Sequence, residues 1–470
     1  MIGRGAQREI VPASIELEGP RIVSVDRMDP AIYERSRSVH PGSEGHGVLD
    51  LGDHLITPAF VNPHTHLALS FMRCLHVGDA RHDNLVEDLF FRYEERLTAD
   101  DVRAFSRMGA YESLLHGVGL VWDHYYFGKA VAAALSDTGL SGVVAPTLQD
   151  LAGPFAAQHE QALDDTAQLD ADESLRERGI YAAVGPHATD TVSAGLMGRA
   201  VALACERNLP VHLHVAQSLD ELTRVRAREG TTPLKMLERV NLLRDAPSAV
   251  LAHALFADDS DLALLDPERH LLVACPFAQL QFGFISPIRE WAERNLAWSV
   301  ATDCAASNDS MNLQKELRLV AALPHASVTV SDDYRRFFET GEYAAAKRAW
   351  QGRAHAELAF RSQRTPQDLL TRVWELPGSY HPGLRAGAIE AGALGNLIAW
   401  DTDAPAFWPE SDLPRALSFG DTTSAIHALF VAGRPIGRPG ALRESVLGSD
   451  AYREARMEAT ERLSRLLNAR

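Results

Sequence analysis

Six histidines and an aspartate sit at or near the C-terminal ends of short apolar runs. His64 and His66 follow TPAFVNP, His187 follows IYAAVGP, His212 and His214 lie in PVHLH, His253 follows AVLA, and Asp303 follows AWSVAT. Extended residues two apart point to the same face, so His64 and His66 can grip one ion together. His214 and Asp303 complete a set of three imidazoles and a carboxylate, suited to one Zn²⁺ with a position left for water; Fe²⁺ is the alternative ion. A lone histidine in a strand is more often a hydrogen-bonded core residue, and His212 reads that way. The ordered set as a whole resists that bland reading.

These residues need a scaffold that brings strand ends together. Short β-branched runs recur near 57–64, 118–123, 141–147, 180–187, 210–214, 249–253, 270–275 and 297–303. Helical apolar spacing fills intervening segments such as 99–116, 129–139, 193–208 and 233–243. Eight such units predict an α/β chain closed into a (β/α)₈ TIM-like barrel over residues 57–383, with an open doubly wound sheet as the alternative. Residues 1–56 and 384–440 carry short strands with Gly/Pro turns, and are expected to pair as one small β-sandwich domain. Residues 441–470 read as a surface helix, and 324–364 as an elaborated helical region.

Composition narrows the partners. The chain has 470 residues, 46% hydrophobic, and a charge of 46 − 63 = −17. That balance argues against nucleic acid and anionic membrane surfaces. No stretch approaches the ~18 apolar residues needed to span a bilayer. Cys74, Cys205, Cys275 and Cys304 form no CxxC pair, and residues 1–20 show no leader pattern. A cytoplasmic enzyme acting on a small molecule is expected, with a homodimer left open.

At the level of motifs, TPAFVNPHTHLALSFMRCL, PVHLHVAQSLDEL, LAHALFADDSDLALL and SVATDCAASNDSMNLQKELRL resemble the blocks of the amidohydrolase superfamily. Within it they are similar to the branch of S-adenosylhomocysteine and guanine deaminases and triazine hydrolases. The resemblance covers most of 9–322, returns at 384–439, and is poor in 324–383. It implies metal ligation by His64, His66, His214 and Asp303, and a water-orienting role for His253. It also implies proton transfer by Asp303 and a substrate contact at His187. Gly185-Pro186-His187 offers no lysine for a two-metal bridge.

One position departs from the branch. Its deaminases read His-x-x-Glu after the fifth strand, whereas this chain reads His214-Val215-Ala216-Gln217. Glutamine donates and accepts hydrogen bonds but does not exchange a proton in the working pH range. Gln217 is therefore expected to bind substrate while Asp303 and His253 handle protons. Hydrolysis at a C–N bond of a nitrogen heterocycle is the leading expectation. Departure of chloride, thiol or alkoxide, or a silent scaffold, are the alternatives. Phe90, Phe91, Arg92 and Tyr93 are candidate pocket residues, though ordinary helix packing is the commoner role for such a run. Cys304 reads as pocket wall.

Overall fold

The computed structural model describes residues 1–29, 31, 47–73, 84, 86–329, 331–361 and 365–468, with 323–329 and 353–361 as backbone. Cys74 and most of the loop 75–85 fall outside the described residues, as do 30 and 32–46 of the first terminal block.

The N-terminal hairpin pairs β1 (Ala13–Glu18) with β2 (Arg21–Arg27) through a turn at Gly19, whose φ of +55° favours glycine. The strand predicted at 57–64 divides at Ala59 into β3 (Leu55–Pro58) and β4 (Phe60–Thr65), which enter different sheets. The central strands continue as β5 (Val118–Tyr125), β6 (Ser141–Leu148), β7 (Ile180–Ala182), β8 (Gly185–Pro186) and β9 (Val211–Val215). They end with β10 (Ala249–His253), β11 (His270–Ala274) and β12 (Trp298–Val300).

Strands β4 to β7 pair in chain order as one parallel sheet with β8 beside β6, and β9 to β12 as a second. Parallel bridges link their edges: Val184 to Val211 and Ala188 to His214 on one side, Thr65 to Asp303 on the other. This is a TIM-barrel-like α/β fold. Its strands are buried on both faces, which explains their near-continuous apolar runs. Leu120, Trp122, Val143, Ala145, Val250, Leu271 and Val273 share an inner core cluster. Their alternate neighbours, such as Val121, Val144, Leu251 and Leu272, pack in the larger cluster with helix residues.

The intervening helices are α1 (Ala99–Leu115), α2 (Gly128–Thr138), α3 (His159–Ala171), α4 (Ala194–Arg207) and α5 (Leu219–Glu229). The start of α1 follows from sequence: Thr98 and Asp101 form a reciprocal capping box that satisfies two terminal N–H groups. The predicted helix 233–243 occurs as two short pieces, Pro233–Arg239 and Leu242–Asp245. A short helix α6 (Pro276–Gln281) follows β11, and α7 (Leu313–Thr329), α8 (Asp332–Thr340) and α9 (Tyr343–Arg361) follow β12.

Toward the C-terminus, β13 (Leu397–Trp400), β14 (Ile426–Val431) and β15 (Arg434–Ile436) form an antiparallel sheet ordered β15-β14-β13-β3. Ile22 of the hairpin packs with Ile389, Ala393 and Leu397, so segments from both ends of the chain meet in one small core. Helix α10 (Asp450–Asn468) lies against α1, where Arg462 and Arg465 reach the buried Asp101 carboxylate.

Candidate metal centre and active-site pocket

The strand-end residues converge. The ligand-capable nitrogens of His64, His66 and His214 all lie within 4.8 Å of one another. Asp303 Oδ1 stands 3.6 Å from His66 Nε2 and 3.9 Å from His64 Nε2. His66, His187, His214, Gln217, His253, Asp303 and Cys304 line one pocket. Of the aromatic run, Phe90 and Phe91 also line it, while Arg92 and Tyr93 do not.

Hydrogen bonds fix which nitrogen of each ring faces inward. His66 Nδ1 donates to the His124 carbonyl, and His214 Nδ1 donates to the His187 carbonyl at 2.8 Å. A carbonyl can only accept, so both Nε2 atoms present lone pairs, yet they lie 3.2 Å apart. Two lone pairs at that distance repel unless a cation stands between them. His64 Nδ1 meets His212 Nε2 at 2.9 Å, leaving buried His64 Nε2 with no partner among the described residues. His212 therefore holds the ring of His64, the supporting part its sequence position indicated. The residues present fit a divalent ion.

Charge points the same way. Burial lowers the imidazoles, to about 3 for His66 and about 4 for His214, and well below the usual range for His64, so all stay neutral and able to ligate at pH 7. Burial raises the Asp303 carboxyl to about 7. A cation beside it would restore the carboxylate.

The remaining polar groups are ordered around this cluster. His253 Nδ1 accepts from Gln279 Nε2 at 3.2 Å, so the neutral ring carries its proton on Nε2, an atom unpartnered among the described residues. Ser286 donates to the other end of the same amide, Gln279 Oε1. His187 Nδ1 pairs with Thr191 Oγ1 at 2.9 Å. Glu221 is occupied elsewhere: it accepts from the Gln217 backbone N–H at 2.7 Å and from the Thr189 hydroxyl. It caps the turn that presents Gln217 and does not line the pocket. His253 and Asp303 both have left-handed backbones, with φ of +75° and +61°. Such strain costs about 1–3 kcal/mol per residue and gathers where side chains must be aimed.

Several contributors escaped the sequence reading. Glu94 lines the pocket, is 4% exposed, and is raised to about 7 by burial, with the Tyr125 hydroxyl beside it. His124 orients His66 through its carbonyl and also lines the pocket. Asp123 accepts from the Thr65 hydroxyl at 3.0 Å and from Leu67 N–H at 2.6 Å, bracketing His66. The pair Asp123-His124 does end an apolar strand, VGLVWDH, which is the signal that could have marked both.

Fold and donor set together define a metal-binding site of the hydrolase type at the C-terminal mouth of a barrel-like sheet. The amidohydrolase family matches residues 55–343, more than half of the chain, and the chain belongs to that family. It is 28% identical to a 5-methylthioadenosine/S-adenosylhomocysteine deaminase of Natronomonas pharaonis, over 96% of this chain and 99% of the relative. Among solved structures it resembles an adenosine deaminase from Xanthomonas campestris with bound zinc (TM-score 0.76, 21% identity, covering 96% of this chain and 94% of the other). It also resembles the zinc complex of atrazine chlorohydrolase from Arthrobacter aurescens (TM-score 0.73, 20% identity, covering 98% and 96%). Among the described residues no helix is long and apolar enough to cross a membrane.

Proposed function

We propose that this amidohydrolase uses one divalent ion, Zn²⁺ in preference to Fe²⁺, to hydrolyse a C–N bond of a small nitrogen heterocycle. The adenosine-type compounds named for its relatives are the first substrates to test. His64, His66, His214 and Asp303 are the ligands. The single observation that carries this reading is the pair of inward lone pairs on His66 and His214, 3.2 Å apart and next to Asp303.

When bound, zinc lowers the pKa of water to about 7 and so makes a nucleophile available at neutral pH. The chain's own residues do the rest. Asp303 takes a proton from the attacking water and later delivers it to the leaving amine. His253 donates from Nε2 to the oxygen that becomes negative at the tetrahedral carbon. Gln217 and His187 hold heteroatoms of the substrate, and the Glu94 carboxyl offers a further polar contact. Phe90 and Phe91 supply apolar wall. We place the protein in the cytoplasm as a homodimer or monomer. The terminal sheets form its small β-sandwich domain beside the barrel expected over 57–383, whose first strand β4 starts at Phe60 because β3 (Leu55–Pro58) joins the terminal sheet. Residues 441–470 add two helices, Leu442–Leu447 and α10.

The test loads the purified chain with Zn²⁺ and measures ammonia from adenosine, 5′-deoxyadenosine and S-adenosylhomocysteine. Ammonia release from at least one, and a loss in kcat of roughly 10³-fold or more in Asp303→Asn, are expected. No zinc uptake, or Asp303→Asn as active as the parent, would oppose the reading. Gln217 favours a second one, in which a group that needs no ring protonation departs. Chloride release from a chlorotriazine without ammonia from the nucleosides would select it. Gln217→Glu should then raise ammonia release at least several-fold, while no change would oppose the part given to that residue.

A further inference from the structure

We propose that Glu316 is a positioning residue that holds Asp303 in place by tying its loop to helix α6; this rests on the metal-hydrolase reading of the site. Glu316 lies in the first turn of α7 and is 1% exposed. One carboxylate oxygen, Oε2, accepts from the backbone N–H of Phe277, in the first turn of α6, at 2.9 Å. The other, Oε1, accepts from Asn308 Nδ2 at 2.9 Å. That same amide nitrogen donates to the carbonyl of Thr302 at 2.7 Å, the residue immediately before Asp303. Helix α6 in turn carries Gln279, which orients His253. One buried carboxylate thus joins the two loops behind both proton-handling groups.

The choice of glutamate has a physical reason. Both neighbours present N–H donors, so the site needs two acceptors and no donor, which only a carboxylate supplies at this size. Burial raises the group to about 7, so keeping it there is costly. Asp303, with its left-handed backbone, is the residue in need of such restraint.

Glu316→Gln keeps the volume but sets an amide N–H against one of the two donors. Asn308→Ser removes the link from its other end and leaves a small change of volume. Each variant and the parent are loaded with Zn²⁺ and challenged with a chelator, loaded with Co²⁺ for visible absorption, and unfolded in urea. We expect each variant to retain zinc about tenfold less tightly and to shift the cobalt spectrum, with a double variant no worse than the more damaging single one. Parent-like zinc retention and cobalt spectra in either folded variant overturn the proposal, even where the urea midpoint falls, because a merely structural role would move that midpoint alone. Fully additive losses also overturn it. A parent chain that holds no zinc overturns the reading of the site itself, which separates that failure from this one.

Discussion

At the residue scale the site is a set of groups held away from their solution charge states. Its imidazoles are kept neutral by burial first and by one another's proximity second, and several carboxyls are pushed toward protonation by burial. Glu94 gives a measurable consequence. Its carboxyl moves from 4.5 to about 7 on folding, so the folded chain binds more protons than the unfolded chain between those values. Stability must then fall as pH rises through that window, by about 3 kcal/mol at most. Glu94→Gln lacks this penalty, so the metal-free variant should gain on the parent between pH 5 and pH 8 in paired urea titrations. A difference that stays flat with pH would contradict the burial argument. The sequence marked His64, His66, His187, His214, His253 and Asp303 because each ends an apolar run. Glu94 gave no such sign: it stands in a charged helical stretch, FRYEER, that looks like a solvated face.

At the scale of elements, precision at the mouth depends on close backbone contacts behind it. The turn after His66, Leu67–Met72, packs against α1 so tightly that a Cβ on Gly109 would meet the Leu67 carbonyl oxygen at 2.6 Å. Neither atom is a movable side-chain end, so Gly109→Ala must push the turn and α1 apart. Such overpacking costs about 1–3 kcal/mol. The expected result is a lower urea midpoint together with weaker zinc retention, because the displaced turn begins next to His66, a proposed ligand. Retention equal to the parent would show that His66 is insulated from α1. Periodicity gave the strands and helices of this region. It missed the break at Ala59, because an unbroken apolar run does not reveal that two consecutive strands join different sheets.

Across the whole molecule, distant parts of the chain are fastened by buried polar links. Arg8 Nη2 lies 2.6 Å from Glu375 Oε2, with the two side chains only 2% and 9% exposed, and the Gly5 N–H adds a 2.8 Å bond to the same carboxylate. Removing one partner strands a buried charge, so Arg8→Met should lower unfolding stability by about 3–5 kcal/mol. Adding Glu375→Gln should return part of that loss. A cost below about 1 kcal/mol in urea titration would mean that the N-terminal segment contributes little to holding the barrel.

Periodic burial and residue type, both local properties, determined the order of the barrel-like strands and the chemistry of their ends, though the run at 180–187 divides into β7 and β8. Those signals survive in the sequence because strands buried on both faces are mostly apolar, and the few polar residues in them must each find a hydrogen-bond or ligand partner. Tertiary structure alone decided which nitrogen of each ring faces inward, that His212 braces His64, and that Glu94 enters the pocket while Glu221 does not. It also decided that Asn308 and Glu316 stand behind Asp303. Each of those outcomes is a directional hydrogen bond or a burial between segments that no local pattern couples. They take their form only when the sheet curls and brings its strand ends to one place.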